Sequence, residues 1–380
     1  VDKPIITNST VLDMRGISSG GLLRHIDDLK TSGARSAEIF RMNESLFLAV
    51  PQLAYDLPDT PAHMNGGDSN TDLLIFEWKN GKFVPVSSLA VPGGEDVEFF
   101  SIGDRIFLAT ASGRTGAGPY EPNVDSVVYE YAEGNWVPLQ RFPGFLAKQW
   151  KYFSFGERHF LGLALGVTVE GPVAVNPRHS CIFEWNGHVF ERFATLDGPW
   201  GYNWAKIAVE GREFLAYADH TGQSVLLEWT GSSFEIFQRF EGKTGRAFHV
   251  LPVEGPVQFA FAAIAHDTVV YQWNGSSFEQ LQVLSGPGGR EFASISTGGK
   301  SYLVQVNFIE GSPKAPKTDL LSYIYQWSGT QWVRVDQFET FGGTDACFFA
   351  ADGKTHLVVT NSLTADIRFG QDTAVYEFLG

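Results

Sequence analysis

Val269-Val270-Tyr271-Gln272-Trp273-Asn274-Gly275-Ser276-Ser277-Phe278 is the stretch whose reading decides the fold. Its first half alternates, so Val270 and Gln272 face one side of a strand while Tyr271 and Trp273 face the other. Asn274-Gly275 is a hairpin signal, because glycine takes positive φ without steric cost. Phe278 then opens the return strand. Nearly the same phrase recurs at Leu74–Trp78 with Phe83, at Val128–Tyr131 with Trp136 and at Ile182–Trp185 with Phe190. It returns at Leu226–Trp229 with Phe234 and at Ile324–Trp327 with Trp332, and a truncated copy, Val375–Phe378, ends the chain. The Trp-equivalent positions stand 44 to 54 residues apart. A period of that length with four short strands per unit predicts an all-β, seven-bladed β-propeller.

Length alone, 380 residues, suggests two or three domains, but a closed propeller is one domain, here spanning 1–380. The 41 glycines suit a chain with several turns per unit. A net charge of -15 argues against nucleic acid and against an anionic membrane surface as partners. No apolar run is long enough to span a bilayer, so a soluble protein without membrane insertion is expected. Cys181 and Cys347 fall in different units, which predicts two free thiols. The chain begins at Val1, which fits a removed signal peptide or a trimmed chain. Asn8, Asn43 and Asn274 head weak glycosylation sequons.

Each unit opens with an inner strand, such as Val97–Phe100, Trp150–Phe153 or Phe248–Leu251. A second strand follows, then the repeated phrase as the third, then a fourth. The seventh unit stops after its third strand. The run Ile5 to Asp13 has no partner beside it, so it is expected to close the ring as the outer strand of blade seven. Residues 15–35 then form a connector in which Leu22–Leu29 carries apolar residues at helical spacing. Blades one to six occupy 36–343 and blade seven 344–380.

The pattern resembles the EAR repeat, also called the epitempin or EPTP repeat, most clearly in Phe214-Leu215-Ala216 followed by Leu227-Glu228-Trp229-Thr230-Gly231 and Phe234. The resemblance covers essentially the whole chain, with Tyr131 and Phe378 departing at the Trp position. It implies a seven-bladed propeller, commonly secreted or extracellular, that binds protein partners.

In such a ring the loops joining strand two to three and strand four to the next blade share one rim. They are long in blades one, two, three, six and seven (52–71, 112–124, 166–178, 307–318 and 361–371) and short in blades four and five. The long loops are expected to wall an arc and leave a notch. Trp150, Trp200, Tyr202, Trp204, Arg246 and Arg290 gather there as candidate ligand contacts, since Trp, Tyr and Arg are the usual anchors of interfaces. Near the channel mouth, Ser36, Asp96, Gln149, Asn203, Ala247, Glu291 and Asp345 begin the inner strands. Oxygens in a ring suit Ca²⁺, with Asp96, Glu291 and Asp345 as the acidic ligands. The family resemblance implies the same for Asp96, which looks like an acidic calcium-holding channel residue. Further along the strands, Glu98, Lys151 and His249 could support acid/base catalysis. The nine histidines show no metal spacing, and the Gly113, Gly116, Gly118 loop lacks the helix and Lys-Ser/Thr of a phosphate cradle. Three functions follow: a non-catalytic binding propeller recognising a protein or glycan partner through its rim, an enzyme at the channel mouth, or a structural module of a larger assembly.

Overall fold

The computed structural model describes residues 16–166 and 176–380. Those residues form seven four-stranded antiparallel sheets and one small hairpin, with no helix. The inner strands are Glu38–Met42, Gly94–Ile102, Ala147–Phe155, Gly201–Val209, Gly245–Val250, Gly289–Thr297 and Gly343–Ala351. Neighbouring inner strands pack in order around a central channel, and that of blade seven touches that of blade one. The result is a seven-bladed β-propeller.

The repeated phrase builds the outer hairpin of blades one to six. In blade five Thr268–Trp273 pairs with Phe278–Ser285, and Trp273 stands opposite Phe278 with ring centroids 5.1 Å apart. Gly275 has φ 100°, a left-handed conformation that disfavours a side chain. The side-chain oxygen of Asn274 accepts the amides of Ser276 and Ser277, both at 2.9 Å, and fixes the turn. The glutamate before the tryptophan has a structural use. In blades two, three and four it binds an arginine of the preceding turn: Arg105 to Glu130, Arg158 to Glu184 and Arg212 to Glu228. Each guanidinium then lies over the tryptophan of the next blade, 4.8 to 5.5 Å from the ring centroid. Apolar side chains also pack between the blades, with Trp150 and Trp204 fully buried there. Cys181 and Cys347 are free thiols.

The ring closes through an N-terminal strand in blade seven, but the strand is Leu23–Leu29. It runs antiparallel to Thr373–Phe378, with Leu23 opposite Phe378 and Leu29 opposite Thr373. The expected closing run, 5–13, lies outside the described residues. The helical expectation for Leu22–Leu29 is overturned. A bulge between His25 and Asp27 shifts the register, so Leu23, Ile26 and Leu29 fall three apart in a strand. Upstream, the chain is pinned to blade six by Asp336, whose carboxylate accepts the amides of Gly20 at 2.6 Å and Leu22 at 2.9 Å. Arg24 adds an ion pair to Glu377 across the closing pair.

Candidate functional site

Six of the seven inner strands begin with the same irregularity. The register slips between residues 94 and 96, 147 and 149, 201 and 203, 245 and 247, 289 and 291, and 343 and 345. One extra residue is inserted at each place. In blade one Ala34 bridges Gln52, and Arg35 takes the equivalent position. The small residue ahead of the insertion is needed for close approach to the preceding blade. A Cβ on Gly245 would stand 2.5 Å from Ser224 Oγ, and one on Gly289 would stand 2.5 Å from Thr268 Oγ1. A bulge re-aims the side chain it carries. Here it separates two consecutive residues into two rings with different work.

The residue after the bulge clasps the next blade. Asp96 accepts the amide of Trp150 at 2.8 Å, Gln149 that of Trp204 at 2.6 Å, Asn203 that of Phe248 at 2.9 Å and Asp345 that of Ala37 at 2.9 Å. Ala247 has no oxygen to offer, and Glu291 turns to its own strand at Phe292. The channel below is acidic. Burial, then Glu98, push the Asp96 carboxyl up to about 8. Burial pushes Asp345 up to about 7, and burial with Asp345 raises Glu291. Glu38 is raised by burial and by Glu98.

In blades one to six the bulged residue aims at the rim; in blade seven it is Thr344, buried and donating to Ala34 O at 2.9 Å. Arg35, Glu95, Lys148, Tyr202, Arg246 and Arg290 form the floor of a cavity of about 700 Å³ and the roof of the channel below. The cavity walls come from the rim loops: Leu53 and Met64 from blade one, Gly113 and Arg114 from blade two, Phe308 to Gly311 from blade six. An apolar cluster joining Leu53, Ala54, Met64, Phe308, Ile309, Leu363 and Phe369 ties together the long loops of blades one, six and seven. The short loops of blades four and five contribute His220, Thr244, Ile264, Ala265 and Pro287. Blade three's loop falls largely outside the described residues.

The floor is held by a chain of contacts. Glu95 lies 2.5 Å from Lys148 Nζ and 3.6 Å from Arg35 Nε. Burial alone would raise this carboxyl, but Lys148, Arg35 and Arg290 outweigh it and hold it at about 2. Arg246 lies over the Tyr202 ring, 3.9 Å from its centroid, and donates to His220 Nδ1 at 2.5 Å. Burial and the Arg246 charge pull His220 down to about 3, so it is a neutral acceptor. Trp200 packs edge-on against His220 at 4.2 Å. Burial would raise the Tyr202 phenol, yet Arg246, Lys148 and Arg290 together bring it below its ordinary value. Arg114 is spent on the scaffold, donating to Asn65 O and Gly66 O at 2.6 Å and to Ser69 Oγ at 2.9 Å.

A family model described as the EPTP domain matches residues 82–131 and 189–230. The chain carries two EPTP (EAR-repeat) matches within a seven-bladed propeller. The mouse thrombospondin-type laminin G domain and EAR repeat-containing protein is 27% identical over 157 residues, covering 38% of this chain and 21% of its own length. The human protein of the same name is 26% identical over 153 residues, with the same coverage. The chain thus spans about a fifth of the curated relatives it matches. Among solved structures, the SapL1 lectin in complex with alpha methyl fucoside superposes with a TM-score of 0.45 at 12% identity, over 70% of this chain and 88% of that one.

Of the residues expected at the rim of the propeller, Trp200, Tyr202, Arg246 and Arg290 line the cavity together. Trp150 and Trp204 do not. Both are buried between blades, and Trp150 Nε1 donates to Thr110 O at 3.0 Å. Glu98 and Lys151 meet at 3.0 Å deeper in the channel, while His249 instead faces Ser294 at 2.8 Å. Asp96, Glu291 and Asp345 share the channel, but no group of three or more His, Cys, Asp or Glu among the described residues is gathered to hold a metal ion. Asp96 and Asp345 each give an oxygen to a neighbouring amide. Alternation does not reveal Arg35, Glu95 and Lys148, because the bulge interrupts it at those positions. The legible signal is the recurring Gly or Ala two places before each clasp residue.

Proposed function

We propose that this propeller is a non-catalytic binding module whose protein or glycan partner docks on the loop-rich rim. One observation carries the reading: the long loops enclose a cavity of about 700 Å³ directly above the channel, with Trp200 and Tyr202 in its wall. Pockets of a few hundred to about a thousand Å³ with a few convergent polar groups are the usual form of a ligand site. The relatives' names join EAR repeats to a thrombospondin-type laminin G domain, which supports an extracellular setting. No helix among the described residues is long and apolar enough to cross a membrane. Chemistry at Glu98, Lys151 and His249 has less support. Lys151 is drawn to Glu98 and Glu38, which raise it above its ordinary value against the effect of burial. Burial and the Lys151 charge lower His249 to about 4. Each of the three is therefore occupied by a neighbour.

The test is a glycan array and a cell-surface capture assay with the whole chain, repeated with Trp200→Ala and Tyr202→Ala. The expected result is loss of binding with the melting midpoint within a few degrees of the parent. Full binding by both variants would move the site away from this rim.

A further inference from the structure

Charge is distributed unevenly between the rim cavity and the rest of the molecule. The chain carries -15 overall, yet the cavity is lined by five cations, Arg35, Arg114, Lys148, Arg246 and Arg290. Among the described residues only two carboxylates line it, Glu95 and the exposed Glu310. Glu95 is shared by Lys148 and Arg35, so it cannot neutralise Arg246 and Arg290 as well. Two of the guanidinium groups are also short of hydrogen-bond acceptors. Arg35 and Arg246 are each 7% exposed, and the Nε of both has no hydrogen-bond partner. The indole nitrogen of Trp200, in the same wall, is likewise buried without one. Burial pulls both arginines down to about 10.

A buried cation without a counter-charge costs several kcal/mol, and a fold keeps such groups where a ligand completes them. Guanidinium forks match a pair of oxygens on a carboxylate or sulfate. The cavity's other wall is apolar: Leu53, Met64, Ile264, Phe308 and Ile309 have no polar side-chain atom to offer. An inorganic ion would satisfy the floor and leave that wall in water. A ligand with an oxyanion at one end and an apolar or ring-shaped body at the other satisfies both.

We propose that the rim cavity binds an organic oxyanion, a carboxylate or sulfate on a compact apolar or ring-shaped body, with Arg35, Arg246 and Arg290 as its direct partners. The proposal rests on the rim-binding reading and adds the chemistry of the ligand. The anion replaces the missing acceptors of Arg35 and Arg246. Trp200 and Phe308 flank the body. His220, neutral and accepting from Arg246, positions that guanidinium and does not compete for the anion. The same oxyanion could arrive as a free organic acid or as the acidic end residue of a glycan, and the probes separate these sources.

The experiment is calorimetric titration of the whole chain with 3-phenylpropionate, glucuronate, a sulfated disaccharide and inorganic sulfate. The neutral 3-phenylpropionamide and glucose serve as controls, and Trp200 fluorescence is followed in parallel. At least one organic oxyanion is expected to bind once per chain and to weaken as salt rises. It should bind at least tenfold more tightly than its neutral counterpart and than sulfate. Tight 3-phenylpropionate points to a free acid; tight glucuronate or sulfated disaccharide points to a glycan end. Arg246→Gln and Arg35→Gln should each weaken binding at least tenfold while both melt cooperatively. Arg246→Lys separates charge from geometry and should recover part of the affinity. Saturation by neutral probes alone, by none of the probes, or equally by the glutamine variants overturns the proposal. A partner captured by the wild-type chain and equally by Arg246→Gln would leave the rim reading standing and remove the anion.

Discussion

Residues 95 and 96 are neighbours in the chain but serve different parts of the molecule. Glu95 looks upward into a cationic cavity and is held at about 2; Asp96 reaches sideways to the Trp150 amide in an acidic channel and is pushed to about 8. The same division repeats around the ring. Arg246 lies in the floor of the cavity, while its neighbour Ala247 is buried apolar core; Tyr202 lines the wall, while Asn203 clasps the next blade. One inserted residue per inner strand therefore allows a closed, repetitive ring to line its rim cavity with varied side chains above the clasps beneath. The bulged position also carries contacts between blades, as in the Lys148–Glu95 ion pair and the Thr344 hydroxyl donating to Ala34 O. The clasp position is restricted to side chains with an oxygen, or to none.

Substitutions that confuse the two rings should show how separate they are. The largest effect is expected below the rim: Trp150→Ala, in a fully buried inter-blade site, should cost about 3–5 kcal/mol by chemical denaturation. Trp200→Ala, at the cavity wall, should change stability far less. Loss of a single clasp comes next. Asn203→Ala leaves the Phe248 amide buried without an acceptor and should cost about 1–3 kcal/mol, with ligand binding retained. A smaller effect, of opposite sign, is expected at Asp96. The folded state holds its proton more tightly than the unfolded state does between the ordinary value of 3.8 and about 8. Its contribution is thus fully present below the ordinary value and is lost as pH rises through about 8. Asp96→Asn keeps the acceptor and removes the charge, as Asn203 already does two blades on. It should raise the midpoint at pH 8 by about 1–2 °C, for about 1 kcal/mol, and flatten the decline above pH 4. Calcium or chelator should leave the parent's midpoint unchanged at pH 7, and a rise of several degrees with calcium would mean that a cation, not a proton, relieves these acids.

The repeat made most of the fold legible. Trp273 opposite Phe278, with a glycine turn between them, is a local signal, and its copies count the blades. The closing strand was hidden because a bulge at His25–Asp27 places Leu23, Ile26 and Leu29 at helical spacing. The site was legible where it uses large aromatic or charged residues in a rim segment, as at Trp200, Tyr202, Arg246 and Arg290. It was hidden wherever the bulge breaks strand alternation. Arg35, Glu95 and Lys148 look like ordinary surface charges in the sequence, and only the slip in register turns them toward the cavity. Trp150 and Trp204 show the converse: an aromatic close to the rim in sequence can be committed to the joint between blades.

The central claim is that the bulged residue serves the ligand and the next residue serves the ring. The direct measurement is a paired melt and calorimetric titration of Arg246→Gln and Asn203→Ala with the tightest oxyanion of the panel. Arg246→Gln should lose binding at least tenfold with an unchanged or higher midpoint, and Asn203→Ala should melt earlier yet bind within about twofold of the parent. Both variants losing stability and affinity in step would contradict the division.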